Sequence, residues 1–187
     1  MLTDAVDLPS VAREVEQYVA AAGWDQPIQL FALVATEELL RRQPDLADQL
    51  DPASPLTPIA QDALPDGDLA AALAGIVWPD VVRGCALVQE IVVLPPGAER
   101  DLPDGDEAAQ RAAADHPLRR EARLIAAVLR DGPSACLLRL RADAADGGAD
   151  DGADGGAAAD RRELGDLVEA PDLAPNLVAA LAETLRD

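Results

Sequence analysis

Residues 121–143 read EARLIAAVLRDGPSACLLRLRAD, two apolar runs on either side of Asp131-Gly132-Pro133-Ser134. That cluster joins a residue tolerant of unusual backbone angles, one without a Cβ and a proline, and so predicts a β-hairpin. With these four residues as the loop, Arg130 faces Ala135. Directly opposed residues share a face, so Ile125, Ala127 and Leu129 join Leu140, Leu138 and Cys136 on the expected core side. The other side carries Leu124, Ala126 and Val128 opposite Arg141, Arg139 and Leu137. A loop of odd length would move Arg139 and Arg141 onto the side of Ile125 and Leu129, burying charge at considerable cost, so an even loop is expected.

Upstream of the hairpin, residues 82–94, VRGCALVQEIVVL, form the longest β-favouring run, apolar on both alternating faces except at Gln89 and Glu90, as in a central strand. Residues 28–35 predict a second strand. Between the two strands, four prolines in 51–67 rule out a long regular element but leave 56–64 as an extended edge segment, and 68–76 reads as a short helix. Val11, Val15, Tyr18, Val19 and Ala22 place one apolar stripe on a helix over 10–22, with Ser10 as its cap and Gly23 as its terminator. Thr36 is expected to cap a helix with Glu37 and Glu38 at its positive end and Arg41 and Arg42 at its negative end. A further helix is expected at 106–114.

Downstream, residues 143–160, DAADGGADDGADGGAAAD, hold six Asp and no basic residue, too little apolar surface to offset the entropy of ordering. This matches neither an EF-hand loop nor a calcium-binding nonapeptide repeat, so it reads as a linker. Residues 161–168 resume a short strand or helical turn. A last helix follows Pro171, with Pro175 in its first turn and Leu177, Val178, Leu181 and Leu185 as its stripe. The expected fold is thus α+β: an antiparallel sheet of four to five strands, with the N- and C-terminal helices packed on one face. In domain terms, 1–142 form the main part of a single domain, 143–160 a disordered insertion, and 161–187 the C-terminal helix that completes it.

Composition narrows the function. The net charge is −20, all 15 basic residues are Arg, and removing the six Asp of 143–160 still leaves −14. A chain so acidic repels phosphate backbones, so nucleic acid is not an expected partner. No apolar run is long enough to enter a membrane, and the first residues lack a secretory signal, which points to the cytoplasm. Cys85 and Cys136 each lie in an apolar run and read as buried thiols.

Catalytic signatures are missing. Ser10, Ser54 and Ser134 stand outside any nucleophile elbow, His116 is the single histidine, and neither a phosphate-cradling loop nor a zinc spacing occurs. No cofactor is expected. Aromatic residues are scarce, so Trp24-Asp25 and Trp78-Pro79-Asp80, at the ends of elements, are the candidates for a shared site.

Gly23-Trp24-Asp25 with Pro27, Leu30 to Val34 (LFALV), Leu56-Thr57-Pro58, Trp78-Pro79, Val93 to Pro96 (VLPP) and Leu129 to Gly132 (LRDG) resemble a family of uncharacterised actinobacterial proteins. The resemblance spans the chain except 143–160 and implies no catalytic residue. In size, acidity and expected layering the chain is also similar to acidic secretion chaperones and adaptors, which implies a protein partner by analogy.

Two functions follow as expectations. The first is a non-enzymatic protein that docks a protein partner on an apolar patch ringed by acids, near Trp24, Trp78 or the Arg-bearing side of the sheet. The second is a binder of a small anionic ligand, or an enzyme, using Trp24, Asp25, Trp78 and Asp80 with Arg139 or Arg141 as anion ligands.

Overall fold

A computed structural model describes residues 6–65, 67–95, 97–103, 106–130, 132–142 and 166–186. Its strands are β1 (Gln29–Ala35), β2 (Leu56–Ala60), β3 (Val82–Val93), β4 (Arg120–Leu129), β5 (Ser134–Leu140) and β6 (Leu167–Glu169). Its helices are α1 (Leu8–Ala20), α2 (Thr36–Arg42), α3 (Leu69–Ala74), α4 (Asp106–Asp115) and α5 (Pro175–Thr184). The strands form one antiparallel sheet in the order β2-β1-β3-β4-β5-β6. The fold is α+β, with the two short edge strands β2 and β6 bringing the sheet to six. The segment 143–160 lies outside the described residues.

By its contacts the chain divides into two compact units, one of residues 1–89, 125–137 and 169–187, the other of 90–124 and 138–168; β3, β4 and β5 each run from one into the other. In the first unit both sheet faces are covered. Leu8, Val11, Val15 and Val19 of α1 pack on Phe31, Leu33, Ala86, Val88, Ile125, Ala127 and Leu137. On the opposite face Leu73 of α3, together with Leu181 and Leu185 at the end of the chain, packs on Leu30, Ala32, Cys85, Leu87, Ala126, Val128 and Cys136. The first and last helices therefore lie on opposite faces of the sheet, not on one. Two-sided cover is the reason that β1 and β3 read as nearly continuous apolar runs.

The hairpin register also differs from the sequence reading. The Leu129 N–H donates to the Pro133 carbonyl at 3.2 Å, and the Arg141 N–H donates to the Glu121 carbonyl at 2.8 Å. Both bonds fit one ladder, in which Ala127 faces Ala135, Ile125 faces Leu137 and Arg123 faces Arg139, around a three-residue loop. Burial agrees: Leu137 is fully buried with Ile125 and Ala127, whereas Cys136 belongs to the cluster of Ala126 and Val128. The loop is odd because the charge penalty that argued for an even one does not arise. Arg139 and Arg141 fall in the second unit, where Arg141 pairs with Glu121 and neither side chain is fully buried.

Chain ends and turns follow local chemistry. Asp7, not Ser10, caps α1: its carboxylate accepts the Ser10 N–H, and the Ser10 hydroxyl bond holds that carboxyl below the ordinary value. Gly23 closes the turn after α1 at φ 85°, and Asp25, two residues on, has a positive φ of 65°, a conformation that Asp tolerates better than most residues. Thr36 is the first residue of α2 rather than its cap, and its hydroxyl pairs instead with that of Thr57 at 2.9 Å, tying the start of α2 to β2. In β3, Gly84 allows close strand contact, because a Cβ there would stand 2.3 Å from the Val128 carbonyl oxygen.

Candidate functional site

Edge strand β2 exists because its outer side asks little of its neighbours. The Gln61 N–H donates to the Leu30 carbonyl at 2.9 Å and the Thr36 N–H to the Pro55 carbonyl at 3.1 Å. In the antiparallel register these bonds turn Thr57 and Ile59 toward β1, leaving the backbone of Leu56, Pro58 and Ala60 to face outward. Pro58 has no N–H to leave unsatisfied there. The Ser54 hydroxyl donates to the outward Leu56 carbonyl at 2.8 Å. The edge is thus blunted at two of its three outward positions.

Beside this edge lies an apolar groove of about 550 Å³. It is lined by Val15 and Tyr18 of α1, Phe31 of β1, Pro58 and Ile59 of β2, Leu39 of α2, and Leu46 and Leu50 beyond it. Tyr18 stands 64% exposed at the rim, its ring edge-on to Phe31 with centroids 5.9 Å apart. Glu14, Gln43 and Thr57 are its polar lining residues. Burial raises the Glu14 carboxyl above its ordinary value, and the negative charge of Asp51 adds to the rise. The Tyr18 of the expected helix stripe is therefore not core. It lines the groove, and the signal for it in the sequence was an aromatic set in an otherwise Val-rich stripe beside Glu14.

The residues singled out from the sequence are dispersed. Trp78 is 8% exposed, and its indole N–H donates to the Thr184 hydroxyl at 2.9 Å, which makes it part of the interior beneath α5. Trp24 is half-buried and Asp25 exposed in the turn that precedes β1. Val82, just after the Trp78 loop, pairs with Val34 at the far end of β1, so the two tryptophans flank opposite ends of a strand roughly 20 Å long. Asp80 is exposed in the Trp78 loop. Arg139 and Arg141 belong to the second unit. In that unit Arg123, 1% exposed, pairs with Glu90 at 3.3 Å across the β3–β4 ladder.

Other reactive side chains are occupied by structure. Burial pushes the Cys85 thiol from 9.0 to about 11, and the Thr184 hydroxyl lies 3.8 Å from its sulfur. Burial likewise raises Cys136. His116 Nδ1 accepts the Leu118 N–H at 3.1 Å within the turn after α4. Glu38 engages both Arg41 and Arg42, the latter at 2.6 Å. Among the described residues no group of three or more His, Cys, Asp or Glu is placed to hold a metal ion, and no helix is long and apolar enough to cross a membrane.

Fold and groove define an α+β protein whose one face of α1 is shared between the core and an open apolar surface. The chain belongs to the PPA1309-like protein family, whose model matches residues 8–186. No curated protein and no solved structure matches it.

Proposed function

We propose that this chain is a non-enzymatic protein-binding module of the actinobacterial cytoplasm, and that its partner docks in the groove between α1, α2 and β2. The observation that supports this is the groove itself. It presents Tyr18, Leu39, Leu46 and Leu50 together at the surface, whereas single exposed apolar residues are ordinary on any protein. Its lining is apolar with few convergent polar groups, which favours side chains of a protein over an anionic small molecule. Nucleic acid is disfavoured by the net charge of −20.

The test is affinity capture from native cytosol with three baits: the natural chain, Leu50→Glu in the groove, and Asp80→Asn outside it. A stoichiometric protein retained by the natural chain and Asp80→Asn but lost with Leu50→Glu supports the reading. Equal retention by all three, or an empty eluate at both low and moderate salt, overturns it.

A further inference from the structure

We infer that the groove accepts an amphipathic helix with one apolar face flanked by Lys or Arg, rather than an added β-strand or a second copy of this chain; this rests on the protein-binding reading above.

Strand addition needs a row of outward backbone donors and acceptors. Of the three outward positions on β2, Pro58 offers no donor and the Leu56 carbonyl already accepts from Ser54. An extended peptide would lose ladder bonds at the centre of a five-residue strand, so recognition falls to side chains. A helix supplies them at i, i+3, i+4 and i+7 along one apolar stripe, the pattern that suits a groove walled by other helices.

Charge selects the flanks. Glu14 stands in the lining, and Asp45, Asp48 and Asp51 are exposed in the segment that carries Leu46 and Leu50. Glu14 and Asp51 repel each other, and the charge of Asp51 adds to the rise that burial imposes on the Glu14 carboxyl. The two cations of α2 do not offset this rim, because Glu37 and Glu38 on the same helix balance them and Glu38 engages both. Cations on a partner would relieve that repulsion. A second copy, itself at −20, would add to it.

The test uses an 18-residue fluorescent helix of Leu and Lys with its Leu on one face, a Leu/Glu helix of the same pattern, and an alternating Val/Lys strand peptide, each titrated by anisotropy into the full chain. Leu46→Asp is the deciding variant, since it removes apolar surface while adding a negative charge. Groove docking predicts that it weakens the Leu/Lys helix by at least about tenfold. Diffuse attraction between an acidic protein and a basic peptide predicts the opposite sign, and unchanged or tighter binding would overturn the inference. Circular dichroism and thermal melting establish that the variant is folded, and Glu14→Gln with Asp51→Asn should weaken the same helix with a shallower salt dependence. Equal affinity for the Leu/Glu helix, or tighter binding of the strand peptide, overturns the partner class while leaving the captured protein of the preceding experiment in place. Loss of that capture overturns both.

Discussion

The indole Nε1 of Trp78 donates a 2.9 Å hydrogen bond to Oγ1 of Thr184, and that hydroxyl in turn donates to the Leu181 carbonyl at 2.7 Å. A loop residue and the last turn of the last helix are thereby joined inside the core. Thr184→Val keeps the shape but leaves the indole N–H buried without an acceptor. The expected loss is about 1–3 kcal/mol in denaturant unfolding. Trp78→Phe combined with Thr184→Val should lose less than the two singles added together, and strict additivity would show the bond to be unimportant.

Leu137 is fully buried, whereas its neighbour Leu138 is only half-buried. Leu137→Asp should leave no cooperative melting transition, because it places a carboxylate among Ile125 and Ala127. Leu138→Asp should remain folded at reduced melting temperature. The reverse order would restore the even hairpin loop.

Gly84 of β3 leaves no room for a methyl beside the Val128 carbonyl of β4. Gly84→Ala should cost about 1–3 kcal/mol, through separation of the two strands or displacement of Leu129. A neutral effect in thermal melting would mean that the ladder relaxes freely there.

Glu14 has a folded-state value raised by burial and by Asp51, so its ionised form is the less favourable one in the folded protein. Stability contributed by its proton is present below the unfolded carboxylate value and is lost as pH rises through the folded one. Glu14→Gln should therefore stabilise the protein at pH 7, by no more than about 0.5 kcal/mol for so exposed a side chain. That gain should vanish as pH falls below the ordinary carboxylate range. A gain independent of pH in parallel melting series would refute the electrostatic cause.

The Cys85 thiol, raised from 9.0 to about 11, keeps its proton in the folded state where an unfolded chain would lose it. Folding stability should fall between those two pH values, by up to about 1.4 kcal/mol per unit. Alkylation by iodoacetamide at pH 8 should be slow for the folded protein and rapid in denaturant, with peptide mapping at Cys85 as the readout.

Much of the architecture was legible because periodicity carries it: the α1 stripe, the β3 run and the hairpin all stand where their apolar spacing puts them. Hairpin register was not, since it depends on which residues are covered by something distant in sequence. Leu138 and Leu137 are alike as letters. Only the arrival of α1 on one face and α5 on the other makes both faces apolar in the first unit, and thereby removes the alternation that register reasoning needs. The groove was illegible for a similar cause: Tyr18, Leu46 and Pro58 come from three elements, and none is unusual in its own segment. Trp24 and Trp78 stood out by rarity, but rarity reports composition and says nothing of distance.

Arg130, at the end of β4, donates through Nη1 to the Leu185 carbonyl, through Nη2 to the Pro79 carbonyl and through Nε to the Val82 carbonyl. One guanidinium thus fastens the closing turn of α5 to the start of β3, where a cation also meets the negative end of the helix. Leu181 and Leu185 reach the core from the final residues of the chain. Loss of α5 would therefore uncover part of the sheet face formed by Leu30, Ala32, Leu87 and Val128. Removing residues 185–187 alone would take away Leu185 together with the carbonyl that Arg130 holds, so a single guanidinium and a single leucine act as the latch of that face.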